Sequence, residues 1–171
     1  SALVERTLTH SDNDIAEALA RQTALATGEE ASFEGAERAV TRQLTRLKLP
    51  LTGARFADGS GLSRQDRLSA GLLTALLARA ADPAHPELRP VLTGLPVAGF
   101  SGTLQTRYTE TSPGTGLVRA KTGTLTGVNT LAGTVVAPDG RLLAFAFLAG
   151  NTPSRDVAQP ALDRLAAALA S

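Results

Sequence analysis

The sequence contains no cysteine, no methionine and no tryptophan, and only two histidines, His10 and His85. Without cysteine there is no disulfide, no thiolate nucleophile and no cysteine-ligated metal, and two histidines are too few for a histidine-based metal centre. No metal and no cofactor are therefore expected. Charge of a single sign is also lacking: 17 basic and 16 acidic residues are interspersed and leave a net charge of +1. Such a balance builds no field that would attract nucleic acid or an anionic membrane. The apolar runs fall well short of the roughly 18 to 20 residues that a membrane span needs, and no basic-then-apolar leader opens the sequence. With no methionine at all, the sequence does not begin at its own initiator, and an upstream part is expected to have been removed or omitted. The side chains left for catalysis are serine, threonine, lysine and the carboxylates.

At 171 residues the chain suffices for one domain, or part of one. Residues 12–27 place Ile15, Leu19 and Leu25, with alanines, at helical spacing, and Gly28 follows as a stop. A second helix is expected from about Glu34 to Leu47, with Ala36, Val40, Leu44 and Leu47 inward and Pro50 ending it. In DGSGLSRQD, residues 58–66, Ser63 and Asp66 have the spacing of a capping box, and Leu68, Leu72, Leu73, Leu76 and Leu77 form the stripe of a third helix. DPAHPELRP is a proline-broken connection with at most one short helix. From Leu117 the character changes. LVRAKTGTL, NTLAGTVVA and RLLAFAFLAG predict three antiparallel strands, the last two joined by Pro138-Asp139-Gly140. Near-continuous apolarity in the third predicts burial on both faces. Thr152 and Pro153 open a C-terminal helix with Val157, Leu162, Leu165 and Leu169 inward. The organisation is thus helical over 12–92, then sheet plus helix over 115–170: an α/β, more strictly α+β, arrangement with an antiparallel sheet flanked by helices.

Two short motifs carry chemistry. The chain has only two lysines, Lys48 and Lys121, and Lys121 stands in RAKTGTLTGV among small residues. A strand bearing Lys121, Thr122, Gly123 and Thr124 offers a fixed cation, two hydroxyls and a glycine that permits close approach, which suits an extended peptide carboxylate added at a sheet edge. The plain alternative is a lysine that guards an edge against aggregation. Ala120 excludes a P-loop. Ser11-Asp12-Asn13 precedes the first predicted helix, where such residues cap, or where Ser11 relays a proton and the Asn13 amide holds a peptide group.

Taken together, S-D-N before a helix and K-T-G on a later strand are two of the three signature elements of penicillin-binding proteins and class A β-lactamases. The segments THSDNDIAEALAR, FADGSGLSR, LPVAGFSGTLQTR and RAKTGTLTGVNTLAG resemble, in order, the D-alanyl-D-alanine carboxypeptidase/endopeptidase family, the class C low-molecular-mass penicillin-binding proteins. The resemblance covers nearly the whole chain and implies the C-terminal portion of the penicillin-binding, transpeptidase-like domain. The third element departs: no serine has a lysine three residues later, so the S-x-x-K nucleophile is missing. Thr45 and Lys48 have the spacing but sit at a helix end, and Ser101 in GFSGT misses the nucleophile-elbow pattern by one residue.

What the resemblance implies is a serine peptidase that acts on peptidoglycan stem peptides ending in D-Ala-D-Ala and is acylated by β-lactams, outside the cytoplasm. Its nucleophile would come from a companion N-terminal segment carrying S-x-x-K. Ser11 would pass a proton to the leaving amine, Asn13 would hold the substrate amide and Lys121 would supply positive potential. The Thr122 and Thr124 hydroxyls would bind the terminal carboxylate beside Gly123, with the Thr124 N–H as one oxyanion donor. Strict alternation puts Lys121 on the other strand face from the two threonines, so twist or a bulge is expected to bring them together. Two alternatives stand: a non-catalytic half-domain that binds peptidoglycan or a partner, and a β-lactamase, against which the absence of an E-x-x-L-N segment between the two motifs argues.

Overall fold

The computed structural model describes residues 2–171. Helix α1 (Ala2–His10) leads into α2 (Asn13–Ala26), α3 (Phe33–Arg46), α4 (Ala70–Ala81) and a short α5 (Arg89–Thr93); strands β1 (Val118–Leu125), β2 (Val128–Val136) and β3 (Leu142–Gly150) follow, and α6 (Arg155–Ala168) closes the chain. The strands form one antiparallel sheet in the order β1-β2-β3, in continuous register from Val118 opposite Val135 to Leu125 opposite Val128.

The first three helices end in the same way. In each, the residue just past the C-cap takes a left-handed conformation and the next N–H reaches back five residues. Gly28 (φ 79°) does this after α2, with Glu29 N–H donating to the Ala24 carbonyl, and Lys48 (φ 58°) does it after α3, with Leu49 donating to Leu44. This turn at Lys48, rather than Pro50, stops α3. Ser11 (φ 55°) closes α1 likewise, with Asp12 N–H donating to Thr7 at 3.1 Å, and Asp12 at once caps α2 by accepting from Ile15 N–H at 3.0 Å. α1 and α2 are therefore separated by a two-residue elbow.

The α2–α3 pair packs through small residues, with Ala20, Ala24, Ala36 and Ala39 buried, while Leu25 is exposed. Of the stripe expected on α2 the alanines are buried, Ile15 and Leu19 are half-buried and Leu25 falls outside, because helices approach more closely through small side chains. α4 begins later than the capping-box spacing suggested. Its cap is Ser69, whose hydroxyl accepts from Leu72 N–H; Asp66 instead accepts from Ala57 N–H at 2.7 Å across the 58–67 loop, and Leu68 is exposed ahead of the helix. Within that loop Asp58 gathers the N–H groups of Gly61, Leu62 and Ser63. Glu17 of α2 accepts from Gly59 and Ser60, which docks the loop on the helix.

The core lies between the sheet and α6, where Val118, Ala120, Leu131, Val135 and Phe145 meet Leu162, Ala166 and Ala167. α4 packs on β3 and β2 without entering that cluster, and so covers the other face. Two expectations fail here. β3 buries only Phe145, and Leu142 and Leu148 are exposed, because β3 forms an edge of the sheet among the described residues. On α6, Val157 and Leu165 are exposed and the inward stripe is Ala158, Leu162, Ala166 and Ala167; the helix starts at Arg155 under a Ser154 cap.

The 98–117 segment is held to α6 by a buried ion pair, Arg107 to Asp163, in which Nη2 and Nε reach the two carboxylate oxygens at 2.7 and 3.1 Å. Beside it the Tyr108 hydroxyl is buried without a partner; burial first, and then the Asp163 charge, raise its pKa above the usual tyrosine value. Removing one member strands the other charge, so Asp163→Ala should cost about 3–5 kcal/mol in urea unfolding, and Arg107→Leu combined with Asp163→Leu should recover most of that. A loss below about 1 kcal/mol in the single variant would show that water screens the pair.

Candidate active site

The elbow after α1 and the outer edge of β1 meet. Lys121, a half-buried residue of β1, extends its ammonium to the Ser11 hydroxyl at 2.8 Å and to the Thr122 carbonyl at 2.7 Å. Residues 110 positions apart are thereby joined through the single lysine of the sheet. Burial pushes the Lys121 pKa below the usual lysine value, because a desolvated ammonium ion loses hydration that two acceptors only partly replace. Asn13, in the first turn of α2, is exposed two residues from Ser11.

Ser11 occupies its place through backbone strain. A left-handed non-glycine residue costs about 1–3 kcal/mol and persists where its surroundings over-determine it. α1 is fixed against the 94–104 segment by close backbone contacts. A Cβ on Gly102 would lie 2.1 Å from the Thr9 carbonyl oxygen, one on Gly94 would lie 2.8 Å from the Glu5 Cα, and the Thr9 hydroxyl donates to the Gly94 carbonyl at 2.8 Å. The single helical turn at Gly102–Leu104 then returns to β1, where the Thr122 hydroxyl donates to the Thr103 hydroxyl at 2.9 Å. The contacts close a ring: Lys121 to Ser11, along the chain to Thr9, across to Gly102 and Thr103, and back through Thr122 to Lys121.

The expected convergence by twist or bulge does not occur. β1 keeps an unbroken register, Lys121 faces the elbow, and Thr122 and Thr124 face α6 with Ala120 and Val118. What the three share is the strand's outer edge. Val118 C=O and Ala120 N–H bond outward to Ala98 and Pro96, so by antiparallel alternation the N–H and C=O of Thr122 and Thr124 also point outward, beyond the reach of that covering segment. Lys121 takes the Thr122 carbonyl, and the Thr124 N–H faces open edge. At Gly123 a Cβ would meet the Thr130 hydroxyl at 2.4 Å, so the glycine makes room for a cross-strand side chain.

The remaining candidates do not join this group. Ser101 accepts from Val97 N–H at 2.9 Å and serves as a turn brace. The Thr45 hydroxyl bonds the Thr41 carbonyl inside α3, and Lys48 is the left-handed residue past the helix end. Sequence reasoning missed Thr103 and Gln159, whose Nε2 donates to the Thr124 hydroxyl at 3.1 Å. Neither belongs to the motifs; the only signal for Thr103 was its place beside a glycine in a turn segment. A cleft of about 440 Å³ between α6 and the 107–113 loop contains none of the candidate residues. No group of three or more metal-ligating side chains occurs among the described residues, and no helix of these is long and apolar enough to cross a membrane.

Comparison with known proteins bears on the family and the fold. The model of the D-Ala-D-Ala carboxypeptidase 3 (S13) family matches residues 1–170. The chain is 45% identical over 175 residues to carboxypeptidase DacB of Mycolicibacterium smegmatis, covering 99% of the chain and 38% of that protein. It is 35% identical over 137 residues to a D-alanyl-D-alanine carboxypeptidase of an Actinomadura species, covering 77% of the chain and 25% of that protein. Among solved structures, penicillin-binding protein 4 of Haemophilus influenzae in complex with a β-lactam superposes with a TM-score of 0.83 at 29% identity, over 96% of this chain and 40% of that one. The chain belongs to the D-Ala-D-Ala carboxypeptidase family and has the α+β fold of these penicillin-binding proteins, of whose length it spans well under half.

Two measurements test the elbow and its lysine. The lowered Lys121 pKa means that the unfolded chain binds the proton more tightly, so stability rises with pH between the folded value and the unfolded value of about 10.4. The urea midpoint of the wild type relative to Lys121→Met should therefore rise as the pH climbs toward the unfolded value of about 10.4, and a flat difference would show a solvated ammonium. Ser11→Gly should be more stable than Ser11→Ala by about 1 kcal/mol, since only glycine accepts the left-handed turn without strain. Equal stabilities would mean that the elbow is relaxed.

Proposed function

We propose that this chain supplies two walls of the active site of a serine-type D-Ala-D-Ala carboxypeptidase/endopeptidase acting on peptidoglycan stem peptides. The observation that carries this reading is the 2.8 Å hydrogen bond from the Lys121 ammonium to the Ser11 hydroxyl. A serine hydroxyl held by a desolvated cation is polarised for proton transfer, and its position beside an open strand edge leaves room for an extended peptide.

In this mechanism a serine from a companion segment carrying S-x-x-K attacks the carbonyl carbon of the D-Ala-D-Ala peptide bond as its hydroxyl proton passes to the lysine of that segment, and the carbonyl oxygen becomes an oxyanion. The Thr124 N–H, on the free edge, donates to that oxyanion; a donor of this kind is worth roughly 3–4 kcal/mol. Ser11 delivers its proton to the departing amine nitrogen as the C–N bond breaks and takes up in return the proton released by the nucleophile, while Lys121 stabilises the transient negative charge on Ser11. The Asn13 amide holds the substrate's backbone amide, and Thr122, Gly123 and Thr124 form the edge along which its terminal carboxylate lies. Water then hydrolyses the acyl-serine. β-lactams acylate the same serine, because their strained amide stands in for the D-Ala-D-Ala bond. Such a substrate lies in the cell envelope, and the enzyme is accordingly extracytoplasmic.

The companion segment has a physical counterpart in the surface left open. Leu142 and Leu148 on β3 are exposed on a strand whose outer edge is unpaired among the described residues, and such an apolar edge is a template for a further strand. A second reading, a non-catalytic half-domain that binds peptidoglycan or a partner, rests on the same open apolar edge of β3, which suits a partner's strand.

Fluorescent penicillin separates the two readings. With the S-x-x-K segment present, the enzyme should form a covalent adduct that survives a denaturing gel, and Ser11→Ala or Lys121→Ala should each slow its formation by about 10²–10⁴. Unchanged labelling in both variants would remove these residues from the mechanism. No adduct in the complete protein would favour the binding half-domain.

A further inference from the structure

We propose that Gln159, on α6, is a positioning residue for the carboxylate end of the site, setting the Thr124 hydroxyl so that its proton is directed at an incoming anion. The inference deepens the peptidase reading above and rests on it.

The argument follows the donors. The Arg155 guanidinium, one turn earlier on α6, reaches the Gln159 amide oxygen from Nε at 3.4 Å. A guanidinium only donates, so the atom facing it is the amide oxygen, and the amide NH2 must turn the other way. There it meets the Thr124 hydroxyl at 3.1 Å. An amide NH2 also only donates, so the hydroxyl oxygen accepts, and its own proton is left for a third partner. Thr122 differs, since its hydroxyl proton is committed to Thr103 at 2.9 Å. Of the two hydroxyls on this face of β1, Thr124 is the one presented as a donor. A carboxylate, an acceptor only, is the group such a donor selects.

Gln159 is itself held from below. Pro160 follows it, and the buried Arg107, tied to Asp163, donates to the Gln159 carbonyl at 3.4 Å. The amide therefore projects from a fixed point of α6 toward an exposed hydroxyl. The arrangement gives a sign to two substitutions of similar size. Gln159→Leu removes the polar partner and lets the Thr124 proton rotate freely. Gln159→Glu puts an acceptor where the donor was, draws the Thr124 proton to itself, and sets a negative charge beside the place an anionic substrate must occupy.

The test uses the complete enzyme with its S-x-x-K segment, and two ligands: benzylpenicillin, which carries a free carboxylate, and its methyl ester, which does not. Gln159→Leu should lower the second-order rate of acylation by benzylpenicillin about tenfold, the order of one charge-assisted hydrogen bond, and Gln159→Glu should lower it further. Acylation by the methyl ester should stay within about twofold of wild type in both variants, a split that simple misfolding would not produce. Parallel losses with both ligands would overturn the inference in favour of a structural role, and unchanged rates with both would overturn it outright. If the wild type is acylated and the variants match it, this inference alone fails. If the wild type is acylated by neither ligand, the peptidase reading fails and takes the inference with it.

Discussion

A buried ammonium ion must be met by acceptors, and the organisation of this molecule follows from where those acceptors come from. Lys121 is desolvated, and its two partners are the Ser11 hydroxyl and the Thr122 carbonyl. One belongs to the helical part and the other to its own strand, so the lysine cannot be satisfied unless the two parts are correctly docked. Three glycine-dependent or strained positions serve that docking: the left-handed turn at Ser11, and the contacts at Gly94 and Gly102 that let the 94–104 segment lie directly on α1. Because the ring from Lys121 through Ser11, Gly102 and Thr103 returns to Thr122, a shift at any member moves the cation relative to the open strand edge.

The ring also explains why two unremarkable tripeptides become informative together. Asp12 is an ordinary helix cap and Lys121 would be an ordinary edge lysine if each stood alone. Glycine fills the equivalent left-handed position at Gly28 and a lysine fills it at Lys48, so the backbone alone does not single Ser11 out. The serine is accounted for by its side chain, which faces the cation. Strain at Ser11 and desolvation at Lys121 are separate costs, and they meet at one hydrogen bond, as is expected where function rather than stability selects the geometry.

Much of this was legible in the sequence, and the failures have physical causes. The 3.6-residue period located α2 and α3, and β-branched runs with a Pro-Asp-Gly turn located the strands, because these signals reflect local preferences that tertiary packing reinforced. Periodicity misassigned which residues face inward on α2 and α6, since Ala20, Ala24, Ala158 and Ala166 bring their elements closer than leucine would allow and leave Leu25 and Leu165 outside. α1 was not foreseen, because its Thr7, Thr9 and His10 weaken the pattern. The opposed faces of Lys121 and Thr122 were read correctly from alternation, but no distortion resolves them; the site lies at the edge, where both faces and the backbone are accessible together. Thr103, in the LPVAGFSGTLQTR segment but outside S-D-N and K-T-G, and Gln159, outside every quoted segment, join the site through hydrogen bonds that span 19 and 35 positions.

The two edges of the sheet differ in a way that separates recognition from assembly. At the β1 edge the outward groups are polar: the Thr124 N–H, a carbonyl already bound by Lys121, and hydroxyls aligned by Thr103 and Gln159. Such an edge resists non-specific strand addition, because a cation and oriented donors favour only a strand that ends in an acceptor. At the β3 edge the side chains are Leu142 and Leu148, with Phe147 partly buried against the core and stacked on Phe145 at 5.1 Å between ring centroids. An apolar edge of this kind gains from any complementary strand and gains most from one that brings its own apolar face. The same sheet therefore presents one polar edge and one apolar edge. Between them Gly133 of β2, where a Cβ would lie 2.0 Å from the Arg119 carbonyl oxygen, lets β1 and β2 keep the ordinary spacing of a hydrogen-bonded pair.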